Sequence, residues 1–161
     1  MSSILSREEQ LNGLRARREK ELAQEKEIVA FAIENKIMPP GTEYLFDGPG
    51  QFPGWHGGIH EFLKSLAAIE NHSMFKGFII TGGELITSPS GSGIPAAEFE
   101  LLVQSTEKAR KECCVCGAPR GRQTMSVKRM CDVCVFVDIA LSRDAEAAAA
   151  RGWHQAIGRK A

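Results

Sequence analysis

The chain has 161 residues, a length that suits one compact domain or a small domain with an appendage. Its 20 Lys and Arg balance 20 Asp and Glu, so it lacks the overall basic character of most nucleic-acid modules. No apolar run approaches the ~20 residues that cross a bilayer, and Met1 to Glu9 lacks the basic start and apolar stretch of a signal peptide, so a cytoplasmic location with no membrane partner is expected.

The zero net charge hides a polarity along the chain. Acids and bases balance over residues 1–36. Acids dominate from Ile37 to Val103, where Lys64 and Lys76 are the bases, and bases dominate from Gln104 onward. Three regions follow from this and from the elements below: an N-terminal helix (1–36), a small α+β body (37–111), and a four-cysteine zinc finger with a C-terminal helix (112–161).

Ser6 followed by Glu8, Glu9 and Gln10 predicts a helix start with Ser6 as N-cap and acids in the first turn. The helix is expected from Arg7 to about Asn35. Up to Lys26 it is very polar, with Leu11, Leu14 and Leu22 sparse, and this part is expected to project. Ile28, Val29, Phe31, Ala32 and Ile33 form a dense patch for packing on the body, and Pro39-Pro40 end the helix.

Glu43 to Phe46 reads as a short strand or an extended anchor, and Asp47 to Gly54 as a turn-rich loop. A helix from Gly57 or Gly58 to about Glu70 would set Ile59, Phe62, Leu63, Leu66 and Ile69 on one face. Phe75 to Thr81 and Glu84 to Thr87 read as strands joined by a Gly82-Gly83 turn, a β-hairpin. After the loop from Ser88 to Gly93, Pro95 opens a helix to Lys111 with Phe99, Leu102, Val103 and Thr106 inward.

Cys113-x-x-Cys116 and Cys131-x-x-Cys134 carry the strongest chemical signal. Two close thiolate pairs separated by a short stretch have the spacing of a structural zinc site, Zn²⁺ being the expected cofactor. In a reducing compartment such pairs read as metal ligands rather than as disulfides. Four protein ligands leave no open position for a substrate water, so this metal is a scaffold. Cys114 is the spare thiol. Gly117 suits a knuckle turn, Ala118 to Met130 a short hairpin, and Asp132 to about Arg151 a helix with Val135, Phe136, Ile139 and Ala140 toward the core. Knuckle, hairpin, then a helix carrying the last ligands is a treble-clef-like order. Arg120, Arg122, Lys128 and Arg129 fall on the expected hairpin, where cations at a rigid tip suit a phosphate backbone or an acidic protein surface.

His56 and His60 stand four apart, followed by Glu61, as a second metal site or an acid/base pair would need. Gly57 and Gly58 between them weaken the helix there. A zinc-stapled nuclease of the His-Asn-His type would carry a histidine between the cysteine pairs, and Gly117 to Met130 has none. The glycines of Gly48-Pro-Gly50, Gly82-Gly83 and Gly91-Ser-Gly93 match no phosphate cradle.

The segment from Cys113 through Cys116-Gly-Ala-Pro-Arg-Gly to Arg129-Met-Cys-Asp-Val-Cys134 resembles that of small uncharacterised bacterial and phage proteins with a C-terminal Cys-x-x-Cys-Gly finger. Gly54-Trp55, Phe62-Leu63, Phe75 to Phe78 and the run from Ser105 to Cys113 occupy comparable places. The finger is also similar to that of the regulators that enter the secondary channel of RNA polymerase. Neither resemblance brings site residues beyond the cysteines. The expected function is that of a non-enzymatic, zinc-stabilised interaction or regulatory protein that binds a larger protein or protein complex. The alternatives are a nucleic-acid-binding zinc finger, acting through the basic hairpin, and a hydrolase using His56, His60 and Glu61.

Overall fold

The computed structural model describes residues 4–81, 84–89, 95–119 and 129–159, with the backbone alone over 79–81 and 84–89. Helix dominates, joined by one pair of strands, an α+β arrangement.

Helix α1 spans Arg7–Glu34. It starts where the sequence places it, because Ser6 and Glu9 form a reciprocal capping box: the Glu9 N–H donates to Ser6 Oγ at 3.2 Å, and the Ser6 N–H to Glu9 Oε2 at 2.8 Å. Its C-terminal third buries Ile28, Val29 and Ala32. After Asn35 the chain turns through Lys36 at a φ of 58°, and Ile37 and Met38 plunge into the core.

Contrary to expectation, the first part of α1 does not project. Helix α5 (Ala145–Arg151) lies along it. Leu11 is buried there, Arg7 grips Asp144 through two hydrogen bonds of 2.7 Å, and Arg151 grips Glu21 through two of 2.9 Å. The sparse apolar residues of this half understate its packing because charge pairs make the seam.

Leu45 and Phe46 sit in a bend rather than a strand, both buried, with the Leu45 carbonyl accepting from the Phe78 N–H at 2.9 Å. A 3-10 turn at Pro53–Trp55 leads directly into α2, His56–Ala67, whose buried face is Ile59, Phe62, Leu63 and Leu66. Strands β1 (Phe75–Thr81) and β2 (Glu84–Pro89) pair antiparallel with Ile79 opposite Ile86 and Ile80 opposite Leu85. The expected Gly82-Gly83 turn lies outside the described residues.

Helix α3, Ala96–Lys111, is rotated from the expected face. Glu98 and Ala109 are buried, whereas Phe99 and Val103 are exposed. Two interactions set the rotation. Glu98 reaches under the body to accept the Ser73 N–H at 2.6 Å, and the strip of Ser105, Lys108, Ala109 and Glu112 packs against Trp55, Gly58 and Ile59.

The expected single helix after the cysteines is broken in three: α4 (Asp132–Ser142), α5, and a short α6 (Trp153–Ala156). Asp144 ends the continuity by capping α5 with its own carboxylate, which accepts the Ala147 N–H at 3.1 Å. The expected core face of α4 is also corrected. Phe136, Ile139 and Ala140 are exposed, Val135 is half-buried, and Cys134 and Leu141 face inward.

Candidate metal centre

The knuckle Cys113 to Ala118 follows straight from α3. The Gly117 N–H donates to the Cys113 carbonyl at 2.9 Å, and the Cys113 N–H to the Ala118 carbonyl at 2.7 Å. Gly117 has a φ of +75°, the left-handed turn that lets the chain reverse behind the sulfurs. The Val115 N–H points at Cys113 Sγ, 3.4 Å away. Across from the knuckle, Cys131 is the N-cap residue of α4 and Cys134 sits one turn inside it.

One further segment, Gly54-Trp55, clamps this unit to the body. Gly54 donates its N–H to the Cys114 carbonyl at 2.8 Å, and Trp55 donates Nε1–H to the Glu112 carbonyl at 3.1 Å. The Cys114 N–H donates to the Arg129 carbonyl at 2.8 Å, tying the two halves of the finger together, and Glu112 bridges to Pro119.

The four sulfurs of Cys113, Cys116, Cys131 and Cys134 all lie within 4.8 Å of one another. Cys116 and Cys131 are 3.7 Å apart. A tetrahedron with metal–sulfur bonds of about 2.3 Å has edges of about 3.8 Å. Four cysteines are therefore arranged to hold a metal ion, and the set is compatible with structural zinc. Cys114, the spare, is buried in the core and does not join the four.

The surroundings of the four cysteines shift three of their thiols in different directions. Burial would raise the Cys113 thiol, but backbone N–H groups of Cys116, Cys131 and Val115 outweigh it and bring the thiol below its ordinary value. Burial, then the charge of Cys113, drives Cys134 far up, and burial also raises Cys116. The protein alone thus favours one thiolate and resists the next. A dication bound among the sulfurs reverses that balance, since coordinated thiols are deprotonated.

The other candidate residues do not converge. His56 is fully buried, and its Nε2–H donates to the Gln51 carbonyl at 2.7 Å. Burial lowers its pKa to about 4, partly opposed by that bond, so at neutral pH it is uncharged and its 3.9 Å approach to Glu25 is not an ion pair. Glu25 is held by the N–H groups of Gly50 and Leu45, while burial raises its pKa. His60 packs edge-on against Phe31, and Glu61 pairs with Lys64 in solvent. Of the expected basic hairpin, Arg120, Arg122 and Lys128 lie outside the described residues. Arg129 lies inside them, and its guanidinium sits over the Phe52 ring, 4.8 Å from the centroid.

The clamp by Gly54 and Trp55 and the buried Arg151–Glu21 pair escaped sequence reasoning. The Gly54-Trp55 dipeptide inside a turn-rich loop was the available signal for the first. No helix among the described residues is long and apolar enough to cross a membrane. Comparison with protein-family models, curated proteins and solved structures finds no match for this chain.

Proposed function

We propose that the protein is a non-enzymatic, zinc-stabilised interaction protein of bacterial or phage type, with a treble-clef-like finger, that acts by binding a larger protein or protein complex in the cytoplasm. The supporting observation is the closed shell of four sulfurs: a tetrahedral ion held by Cys113, Cys116, Cys131 and Cys134 has no place left for a reacting water. Its work is to hold the knuckle, α3 and α4 in one rigid unit. His56, buried and spent on a backbone carbonyl, and Glu61, turned to Lys64, do not support the hydrolase reading.

A nucleic-acid partner is the second reading, favoured by Arg120, Arg122 and Lys128 between the cysteine pairs. Balanced charge favours protein, and the one described cation of that stretch, Arg129, is occupied with Phe52. Fluorescence anisotropy with labelled single- and double-stranded DNA and RNA at 50 and 200 mM salt (about the range over which phosphate contacts weaken) separates the readings. The protein reading expects negligible binding that the triple neutralisation of Arg120, Arg122 and Lys128 leaves unchanged. Tight binding that falls steeply with salt and vanishes in the triple variant would transfer the function to nucleic acid.

A further inference from the structure

Helix α4 is apolar on two opposite faces, and the body covers one. Inward, Cys134 and Leu141 are buried, and Asp138 between them accepts the Trp153 Nε1–H at 2.7 Å and pairs with Arg159 at 3.0 Å. Outward, Val133 is 70% exposed, Phe136 71%, Ile139 46% and Val137 38%, with Ala140 exposed beside them. Positions 133, 136, 137 and 140 have the i, i+3, i+4, i+7 spacing of one helical stripe. A solvated helix ordinarily places polar residues there. A contiguous apolar stripe of this kind marks an interaction surface.

Charge at the ends of the stripe says what fits it. At 100° per residue, Asp132 and Arg143 fall on the same side of the helix as Phe136, one at each end, and both are exposed. The helix has 11 residues, so the two charges stand about 16 Å apart. A second α4 laid antiparallel against the first brings each Asp132 to the other copy's Arg143 and sets Phe136 against the other copy's Ile139. The surface is therefore complementary to itself under a two-fold axis, the commonest symmetry of soluble dimers.

We infer that the outward face of α4 is a homodimer interface, in which two copies of this chain pair their α4 helices antiparallel around Phe136. The zinc site fixes the N-terminal end of each helix through Cys131 and Cys134, so the face is presented as a rigid body. Two such helix faces bury on the order of 1,000 Å² in total, near the lower limit for a specific interface. A reversible dimer with micromolar affinity is expected.

Sedimentation velocity on the metal-loaded full chain, from about 2 to 200 µM (the span around a micromolar dissociation constant), tests this. The expected result is a concentration-dependent shift from monomer to dimer. Phe136→Asp should remain monomeric throughout while keeping the wild-type metal content and helix signal, since the side chain is solvent-facing in the monomer. Asp132→Lys and Arg143→Glu should each weaken dimerisation about tenfold, and an equimolar mixture of the two should recover it as a heterodimer. Wild type monomeric at the highest concentration would overturn the proposal and leave the face to a different protein. A dimer unaffected by Phe136→Asp would overturn it as well, and failure of the charge-swapped mixture to recover would overturn the antiparallel register.

Discussion

Gly54 lies against Cys114 across 60 positions of sequence, its N–H bonded to the Cys114 carbonyl at 2.8 Å. The approach is so close that a Cβ on Gly54 would stand 2.2 Å from the Cys113 carbonyl oxygen and 2.5 Å from the Gly117 nitrogen. The cysteine knuckle is thus held from behind by the loop that begins α2. Both clashes are with backbone, which cannot swing aside as a flexible side chain does.

Gly54→Ala is accordingly expected to destabilise the protein by about 3 kcal/mol or more, among the larger effects of a single methyl group. It should also weaken metal retention, because the knuckle must shift. Urea denaturation, together with competition against a chromogenic chelator, measures both. A stability within about 0.5 kcal/mol of wild type, the range of an ordinary surface change, would show that the knuckle is not clamped there.

Replacement of Cys113, Cys116, Cys131 or Cys134 by serine should each lower the bound metal well below one ion per chain and unfold the finger. Cys114→Ala should keep the full metal content, since its sulfur stands outside the group of four. Elemental analysis of the five purified variants distinguishes the two behaviours. Metal loss in Cys114→Ala comparable to that in Cys113→Ser would mean that the ligand set is wrongly assigned.

Arg151 and Glu21 join α5 to α1. The Arg151 side chain is 2% exposed and that of Glu21 14%. Glu21 also pairs with Arg17 at 3.2 Å, so it is removal of Glu21 that strands a desolvated charge, the Arg151 guanidinium. Glu21→Ala should cost roughly 3–5 kcal/mol. The double replacement Glu21→Leu with Arg151→Met should recover most of that loss, because apolar residues of similar volume carry no desolvation penalty. Denaturant midpoints of the single and double variants give the coupling. Additive losses would contradict the buried-pair reading.

His56 makes stability depend on pH in a defined direction. Its folded pKa, about 4, lies below the ordinary value of 6.5, so between these the unfolded chain binds the extra proton. Its contribution is complete above pH 6.5 and is lost as pH falls toward 4, a loss of up to about 3 kcal/mol. Glu25, shifted upward by burial, acts in the opposite sense: its folded form holds a proton more tightly, so it favours the folded state on the acid side. His56→Gln should flatten the stability difference between pH 7 and 4. Subtracting its profile from that of wild type removes the effect of metal release, which both share. A profile unchanged in His56→Gln would show that His56 is not held neutral.

Much of this fold is written in local sequence, and the parts that are not share a physical reason. The Ser6–Glu9 capping box, the face of α2 and the strand pair are decided within a few residues, so pattern alone finds them. The cysteine spacing likewise foretells the sulfur cluster, because the geometry of a tetrahedral ion restricts which short loops can close around it. The faces of α3 and α4 depart from the local pattern because distant partners set them. Ser73 draws Glu98 inward, Trp55 packs on Ala109, and Trp153 and Arg159 pull Asp138 toward the body. An apolar residue such as Phe136 scores as core by hydrophobicity, and nothing in its neighbours reports that α5 turns away after Asp144. Packing of the polar half of α1 was hidden for the complementary reason, that its seam with α5 is built from ion pairs.

The most direct test of a closed, four-sulfur scaffold is X-ray absorption at the metal edge of the purified protein, with the metal content measured on the same sample. One zinc ion per chain is expected, with four sulfur neighbours at about 2.3 Å and no oxygen or nitrogen neighbour. A well-ordered protein that binds no metal, or an ion that carries an exchangeable water, would contradict that expectation.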